Sequence, residues 1–107
     1  MIKSVWLSFD LGIGGDYEGM YAWLDNLGSR ECGDSVAYFK YDYSIDLPSE
    51  LKRDIETSIR LDKKSRIYIV YQLDERKMKG VFIFGTRKKQ APWAGYGVST
   101  EESSDES

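Results

Sequence analysis

The sequence predicts one domain of the α+β class, a two-layer sandwich in which two helices cover one face of a mostly antiparallel sheet. Two stretches carry apolar residues at helical spacing, and several others alternate apolar with polar residues as strands do. The chain has 107 residues, which is enough for one hydrophobic core. We therefore expect a single domain over residues 1–97 and a disordered acidic tail over residues 98–107.

The first strand and the first helix have clear signals. From Ser4 to Phe9 the side chains alternate between two faces, and this strand is predicted to end at Asp10. One face holds Val5, Leu7 and Phe9, and the other holds Ser4, Trp6 and Ser8. A glycine-rich loop follows, after which Asp16 is a suitable N-cap for a helix. Gly28 is placed where a left-handed residue ends a helix. The apolar residues at helical spacing between these caps are Tyr17, Met20, Tyr21, Leu24 and Leu27.

The rest of the chain predicts a second helix and more strands. Residues 29–33 are a candidate short strand, and residues 35–43 form an aromatic-rich strand. Pro48 indicates the first turn of the second helix, in which apolar residues recur every fourth position. The clearest strand covers residues 66–73, and a polar turn connects it to a last strand over residues 78–85. In this last strand, alternation predicts Val81 and Ile83 on one face and Phe82 and Phe84 on the other.

Two element orders remain open. If the short strand before Asp34 forms, the order is βαββαβ, the ferredoxin-like arrangement, with one extra strand at the C-terminal end. If it does not form, the order is βαβαββ.

The absence of certain residue types limits the chemistry. The chain has no histidine and a single cysteine, Cys32. Catalysis by Ser-His-Asp or Cys-His groups and zinc binding by Cys and His are therefore excluded. Any reaction must use carboxylates, Lys, Arg, Tyr or Ser. We expect Cys32 to be a small buried residue without a functional role.

Charge is distributed unevenly along the chain. Residues 1–50 hold three basic and nine acidic residues, whereas residues 51–98 hold twelve basic and five acidic residues. The last nine residues add four acids and no base. The net charge of −3 therefore does not exclude an anionic partner, because a positive surface can be local.

Three acids lie around the glycine-rich loop. Asp10 ends the first strand, and Asp16 and Glu18 follow the loop. Mg²⁺ prefers carboxylate oxygens and keeps several waters, so Asp10 is a candidate metal ligand and catalytic residue for phosphodiester cleavage. A purely structural role is the alternative: Asp16 caps the helix, Glu18 lies at the positive end of its dipole, and Asp10 starts a turn.

The second half of the chain places basic clusters beside aromatic residues. This pattern is typical of binding to a nucleic-acid backbone. The alternative is that the charges protect edge strands against aggregation. The candidate nucleic-acid-binding residues are Lys63, Lys64, Arg66, Arg76, Lys77, Arg87, Lys88 and Lys89.

The segment after the last strand is too apolar for a free linker. Trp93 and Tyr96 are predicted to dock a partner or to cover the sheet.

No apolar run approaches the roughly 20 residues that a membrane span needs. The first residues lack the apolar stretch of a signal peptide, and one cysteine suits a reducing compartment. We therefore expect a cytoplasmic protein that does not contact membranes.

Several segments together resemble a known family. Residues 4–10, the glycine-rich loop, residues 15–21, Asp34-Ser35 and residues 62–68 resemble the small ferredoxin-like CRISPR-associated adaptation endoribonucleases and the virulence-associated protein D toxins. The resemblance spans about residues 4–85. The chain departs from the family's usual Ser-Val-Phe strand with Ser35-Val36-Ala37, and it adds an acidic tail.

The resemblance implies a homodimer joined through the sheets, in which Asp10 faces its twin and binds a divalent ion such as Mg²⁺. Many proteins of this kind are scaffolds without nuclease activity. We therefore expect a small dimeric binding module of a defence or toxin–antitoxin type of system, associated with nucleic acid or with a protein partner. The alternative is a Mg²⁺-dependent endonuclease, acting on RNA or DNA, that uses Asp10.

Overall fold

The structure is a computed structural model that describes residues 1–97; the predicted acidic tail, residues 98–107, lies outside the described residues. The described chain has five strands and two helices. In chain order they are β1 (Ile2–Asp10), α1 (Tyr17–Asn26), β2 (Arg30–Glu31), β3 (Val36–Asp42), α2 (Leu47–Ser58), β4 (Arg66–Asp74) and β5 (Lys77–Phe84).

All five strands belong to one antiparallel sheet, so the α+β class is confirmed. The strand order is β2-β3-β1-β4-β5, with β1 in the centre. The short strand β2 forms with only two residues, and β5 adds a fifth strand beside β4. The helices pack on one face of this sheet, which is the arrangement of a two-layer sandwich.

The core lies between the helices and that face. On β1 the side chains of Val5, Leu7 and Phe9 are buried, whereas those between them are at least partly exposed. This period of two places alternate side chains on opposite faces of the sheet. The helices contribute the buried side chains of Met20, Trp23, Leu24, Leu47, Leu51 and Ile55 to the same cluster.

A polar contact joins both helices to the sheet. The carboxylate of Asp54 on α2 accepts hydrogen bonds from the Tyr41 hydroxyl on β3 at 3.0 Å and from the Trp23 indole on α1 at 3.4 Å. Burial and this bond raise the pKa of Tyr41. The hydroxyl therefore stays protonated and continues to donate to Asp54.

Each helix begins with an aspartate N-cap. For α1 it is Asp16, as the sequence predicts, and for α2 it is Asp46, which accepts from the backbone N–H of Ser49. Asp16 caps α1 by accepting from the backbone N–H of Gly19. Its other oxygen accepts from the N–H of Arg60, which ties α1 to the segment after α2, and these two bonds lower the pKa of Asp16. Glu50 accepts from three backbone N–H groups before α2, which likewise lowers its pKa.

Two expectations from the sequence are wrong. The first is that Phe84 shares a face with Phe82, as strict alternation requires. A bulge in β5 places both Phe84 and the buried Ile83 on the helix side of the sheet. There, the Lys52 side chain of α2 contacts the Phe84 ring. The second is that Cys32 is buried: it is exposed, because it directly follows the two-residue edge strand β2.

Over residues 1–97, neither helix has the length and apolar character needed to cross a membrane.

Candidate nucleic-acid interface

The sheet face turned away from the helices, here called the open face, carries four aromatic side chains. Trp6 of β1 lies opposite Tyr38 of β3, and Tyr68 of β4 lies opposite Phe82 of β5. The ring centroids are 5.0 Å apart in the first pair and 4.8 Å apart in the second. We call these four side chains the aromatic platform. They are all partly accessible, so the platform is an apolar surface in contact with solvent.

Gly80 sets the direction of one of these rings. A Cβ atom at this position would overlap the hydroxyl oxygen of Tyr68, so the Tyr68 side chain extends across β5 above Gly80. Phe82 meets the Tyr68 ring edge-on, at an interplanar angle of 66°. The missing side chain at Gly80 therefore gives Tyr68 room on the open face.

The segment after β5 turns back over the open face. Gly85 has φ +75°, a left-handed conformation that glycine adopts without strain. Beyond it, the Arg87 guanidinium lies 5.8 Å from the centroid of Tyr68 and 5.5 Å from that of Phe82. A cation at this distance from two ring faces is attracted by their negative faces, which holds Arg87 beside the platform.

A groove of about 600 Å³ lies between this segment and the sheet. Among the described residues, four that line this space are basic and one is acidic, so together they carry a net charge of +3. We call this space the basic groove. Its floor includes Asp10, Arg66, Tyr68 and Phe82, and its wall includes Arg87, Lys88, Lys89 and Trp93.

Asp10 and Arg66 form an ion pair in the groove. Arg66 donates to Oδ2 of Asp10 at 3.1 Å, and the backbone N–H of Gly12 donates to Oδ1 at 3.2 Å. The Arg66 hydrogen bond, aided by the Gly12 bond and the nearby Lys88 charge, lowers the pKa of Asp10. The Asp10 side chain is 54% exposed, and that of Arg66 is 28% exposed. The carboxylate is therefore ionised and open to the groove.

The three acids singled out in the sequence do not gather at one site. Both oxygens of Asp16 accept backbone hydrogen bonds, which is the capping role, and Glu18 lies in the first turn of α1. Within residues 1–97, no three Asp, Glu or Cys side chains come together as a metal site would require. Of the carboxylates in the described part of one chain, Asp10 is the one that lines the groove.

The structure divides the predicted basic residues into separate groups. Arg66, Arg87, Lys88 and Lys89 line the groove. Lys63 and Lys64 lie in the turn before β4. Arg76 and Lys77 lie at the β4–β5 turn, which the nine residues of β4 place about 25 Å from the groove end of the sheet.

The two aromatic residues predicted to bind a partner differ in their positions. Trp93 lines the basic groove and is still 75% exposed. Tyr96 is 87% exposed and is not among the residues lining the groove. The segment folds through turns in which Ala94 donates to Ala91 and Tyr96 donates to Trp93.

Trp6 and Tyr38 are site residues that the sequence interpretation did not single out. A signal was present, because Trp6 falls between Ser4 and Ser8 on the polar face of an alternating strand. A large aromatic residue at such a position is unusual for a solvent-facing surface and often has a binding role.

In comparisons with known proteins, no family model, curated protein or solved structure matches this chain.

Proposed function

We propose that the protein is a nucleic-acid-binding module and that its binding site is the basic groove together with the open face of the sheet. The observation that carries this proposal is the convergence of four cations on the Tyr68–Phe82 pair, with Arg87 above both rings. Phosphate groups are attracted to the cations, and each phosphate that is neutralised releases condensed counterions. The aromatic rings offer an adjacent surface for nucleobases.

The charge pattern supports an anionic ligand over a cationic or neutral one. Among residues 1–97, Asp10 is the one acid that lines the groove, and Arg66 already neutralises it. A protein partner stays the competing hypothesis, in which Trp93 is the main anchor. The two hypotheses differ in their dependence on salt, because phosphate contacts weaken strongly as ionic strength rises.

We expect the double variant Arg87→Gln/Lys88→Gln to lower the affinity for a short labelled RNA by about tenfold and to reduce the slope of log affinity against log salt by about 1.5. Glutamine keeps a long polar side chain but removes the charge. Fluorescence anisotropy over a range of salt concentrations measures both quantities.

The control is Arg76→Gln/Lys77→Gln, which removes the same charge at the other end of the sheet. An equal loss in both double variants would show that general charge, not the groove, binds RNA. If neither RNA nor DNA binds the unaltered protein in a salt-dependent way, the proposed function is wrong and the protein-partner hypothesis is favoured.

We also propose that the chain is related to the small ferredoxin-like endoribonucleases that its sequence resembles. We infer a ferredoxin-like arrangement extended by β5; its support is the chain order of β1 to β4 and the central position of β1. The homodimer and the cytoplasmic location stay predictions. Light scattering of the purified protein tests the homodimer directly.

A Mg²⁺-dependent endonuclease is the second candidate, because the half-exposed Asp10 carboxylate faces the groove proposed to hold nucleic acid. One carboxylate can hold Mg²⁺ when waters fill its other positions. In this chain both Asp10 oxygens already accept hydrogen bonds, so Mg²⁺ would displace Arg66 from one of them. The twin Asp10 of a homodimer would supply the second carboxylate.

Asp10→Asn separates this candidate from simple binding. If the protein is a nuclease, we expect the variant to lose Mg²⁺-dependent cleavage of a labelled RNA or DNA strand. Its nucleic-acid affinity should rise by a few-fold, because the groove lining loses a negative charge. Gel analysis of the strand with Mg²⁺ or with a chelator measures cleavage; equal cleavage by both proteins would exclude Asp10 as the catalytic residue.

A further inference from the structure

The aromatic platform has a regular layout on the open face. One row across the sheet contains Tyr38, Trp6, Val70 and Gly80, and the next row contains Val36, Ser8, Tyr68 and Phe82. The two aromatic pairs are therefore diagonal neighbours, on β3–β1 and on β4–β5. Diagonal positions on adjacent strands are about 7–8 Å apart, close to the spacing of successive bases in an extended strand.

The residues between the two aromatic pairs have short side chains that do not project above the rings. Ser8, Val70 and Gly80 are small or aliphatic, so a flat ring can approach Trp6 or Tyr68 without meeting a long side chain. Trp6 is 39% exposed although the residue is large and apolar. The Tyr38 hydroxyl is 2.7 Å from the Ser4 hydroxyl, a hydrogen bond that fixes the ring beside Trp6.

Cations lie at both ends of this platform. Arg87 and Lys88 adjoin Tyr68 and Phe82 on the groove side. At the other side, Lys40 lies opposite Ser4, two residues beyond Tyr38 along β3, and is exposed. A polyanion that leaves the basic groove can therefore cross the aromatic platform and meet a positive charge again near Lys40.

We propose that the ligand is a single-stranded nucleic acid, whose bases stack on the Trp6–Tyr38 and Tyr68–Phe82 pairs while its phosphates contact the basic groove. This inference rests on the proposed function and specifies its ligand. Every base has a π face, so stacking tolerates different sequences. A duplex keeps its bases stacked on one another, and it can therefore use the groove but not the platform.

The test compares binding of a short oligouridylate and an RNA duplex of the same length to the full chain by fluorescence anisotropy. We expect Trp6→Ala to weaken oligouridylate binding by about tenfold to a hundredfold. Duplex binding should be unchanged, because the groove cations remain. Trp6→Phe, which keeps a ring, should restore most of the affinity.

Tyr21→Ala is the control, because Tyr21 is an exposed aromatic residue of α1, on the helix side of the sheet. It should leave oligouridylate binding unchanged, and thermal melting establishes that each variant is folded. Equal binding of strand and duplex, with no effect of Trp6→Ala on either, would overturn stacking while leaving the groove proposal intact. Absence of salt-dependent binding to both probes would overturn both proposals.

Discussion

Leu7→Ala is expected to lower the free energy of unfolding by about 2–5 kcal/mol, the usual cost of removing a large side chain from a packed core. Leu7 lies on the central strand, between Ala37 and Ile69 in the register, and is fully buried. Such a loss is a large part of the roughly 5–15 kcal/mol that stabilises a typical domain. Urea denaturation followed by circular dichroism measures it.

The control for this variant is Ile13→Ala, in a loop where the side chain is fully exposed. Its effect should stay within about 0.5 kcal/mol. Leu7 points to the helices, whereas its neighbours Trp6 and Ser8 are on the open face. Well below the melting temperature, Leu7→Ala should therefore keep its nucleic-acid affinity. A stability change equal to that of Ile13→Ala would contradict the described core.

Gly85→Ala is expected to destabilise the fold by about 2 kcal/mol and also to weaken nucleic-acid binding, because a left-handed backbone alone costs an alanine about 1–2 kcal/mol. Its Cβ atom would also come within 2.8 Å of the Ser65 carbonyl oxygen and 2.7 Å of Arg66 Cγ. Relief of these contacts must move the segment that carries Arg87 or the side chain of Arg66. Either movement changes the basic groove.

Gly95→Ala separates the cost of a left-handed backbone from the effect of the Cβ contacts. Gly95 also has a positive φ, of +84°, but a Cβ atom there meets nothing within 4 Å. It should therefore show the backbone cost without a shift of the groove wall, so that RNA affinity changes little. Urea denaturation and RNA anisotropy are measured on both variants; equal RNA affinities would mean that Gly85 does not position the groove.

Much of the fold follows from local patterns. Asp16 and Gly28 bound α1 as predicted, because capping depends on residues within one helical turn. The alternation in β1 identified Val5, Leu7 and Phe9 as one face. Local patterns failed at Phe84, because a bulge is decided by the partner strand and by what packs against it.

The candidate site was only partly predictable for the same reason. The sequence shows basic residues beside aromatic ones after residue 60, and Arg66, Arg87, Lys88 and Lys89 do line one groove. Arg76 and Lys77 have the same local pattern but lie at the other end of the sheet. Their distance depends on the course of β4 and β5, which no local spacing reveals.

Composition and local patterns alone establish the α+β class, the separation of acidic and basic halves, and the exclusion of histidine chemistry; with a single cysteine, they also exclude a disulfide within one chain. These properties depend on composition and on contacts within a few residues. By contrast, the pairing of Asp10 with Arg66, 56 positions away, and the contact between Trp6 and Tyr38 depend on how the strands are arranged in the sheet. Strand order and register bring such distant residues together. They depend on burying the apolar face of the whole sheet against the helices, which local patterns do not specify.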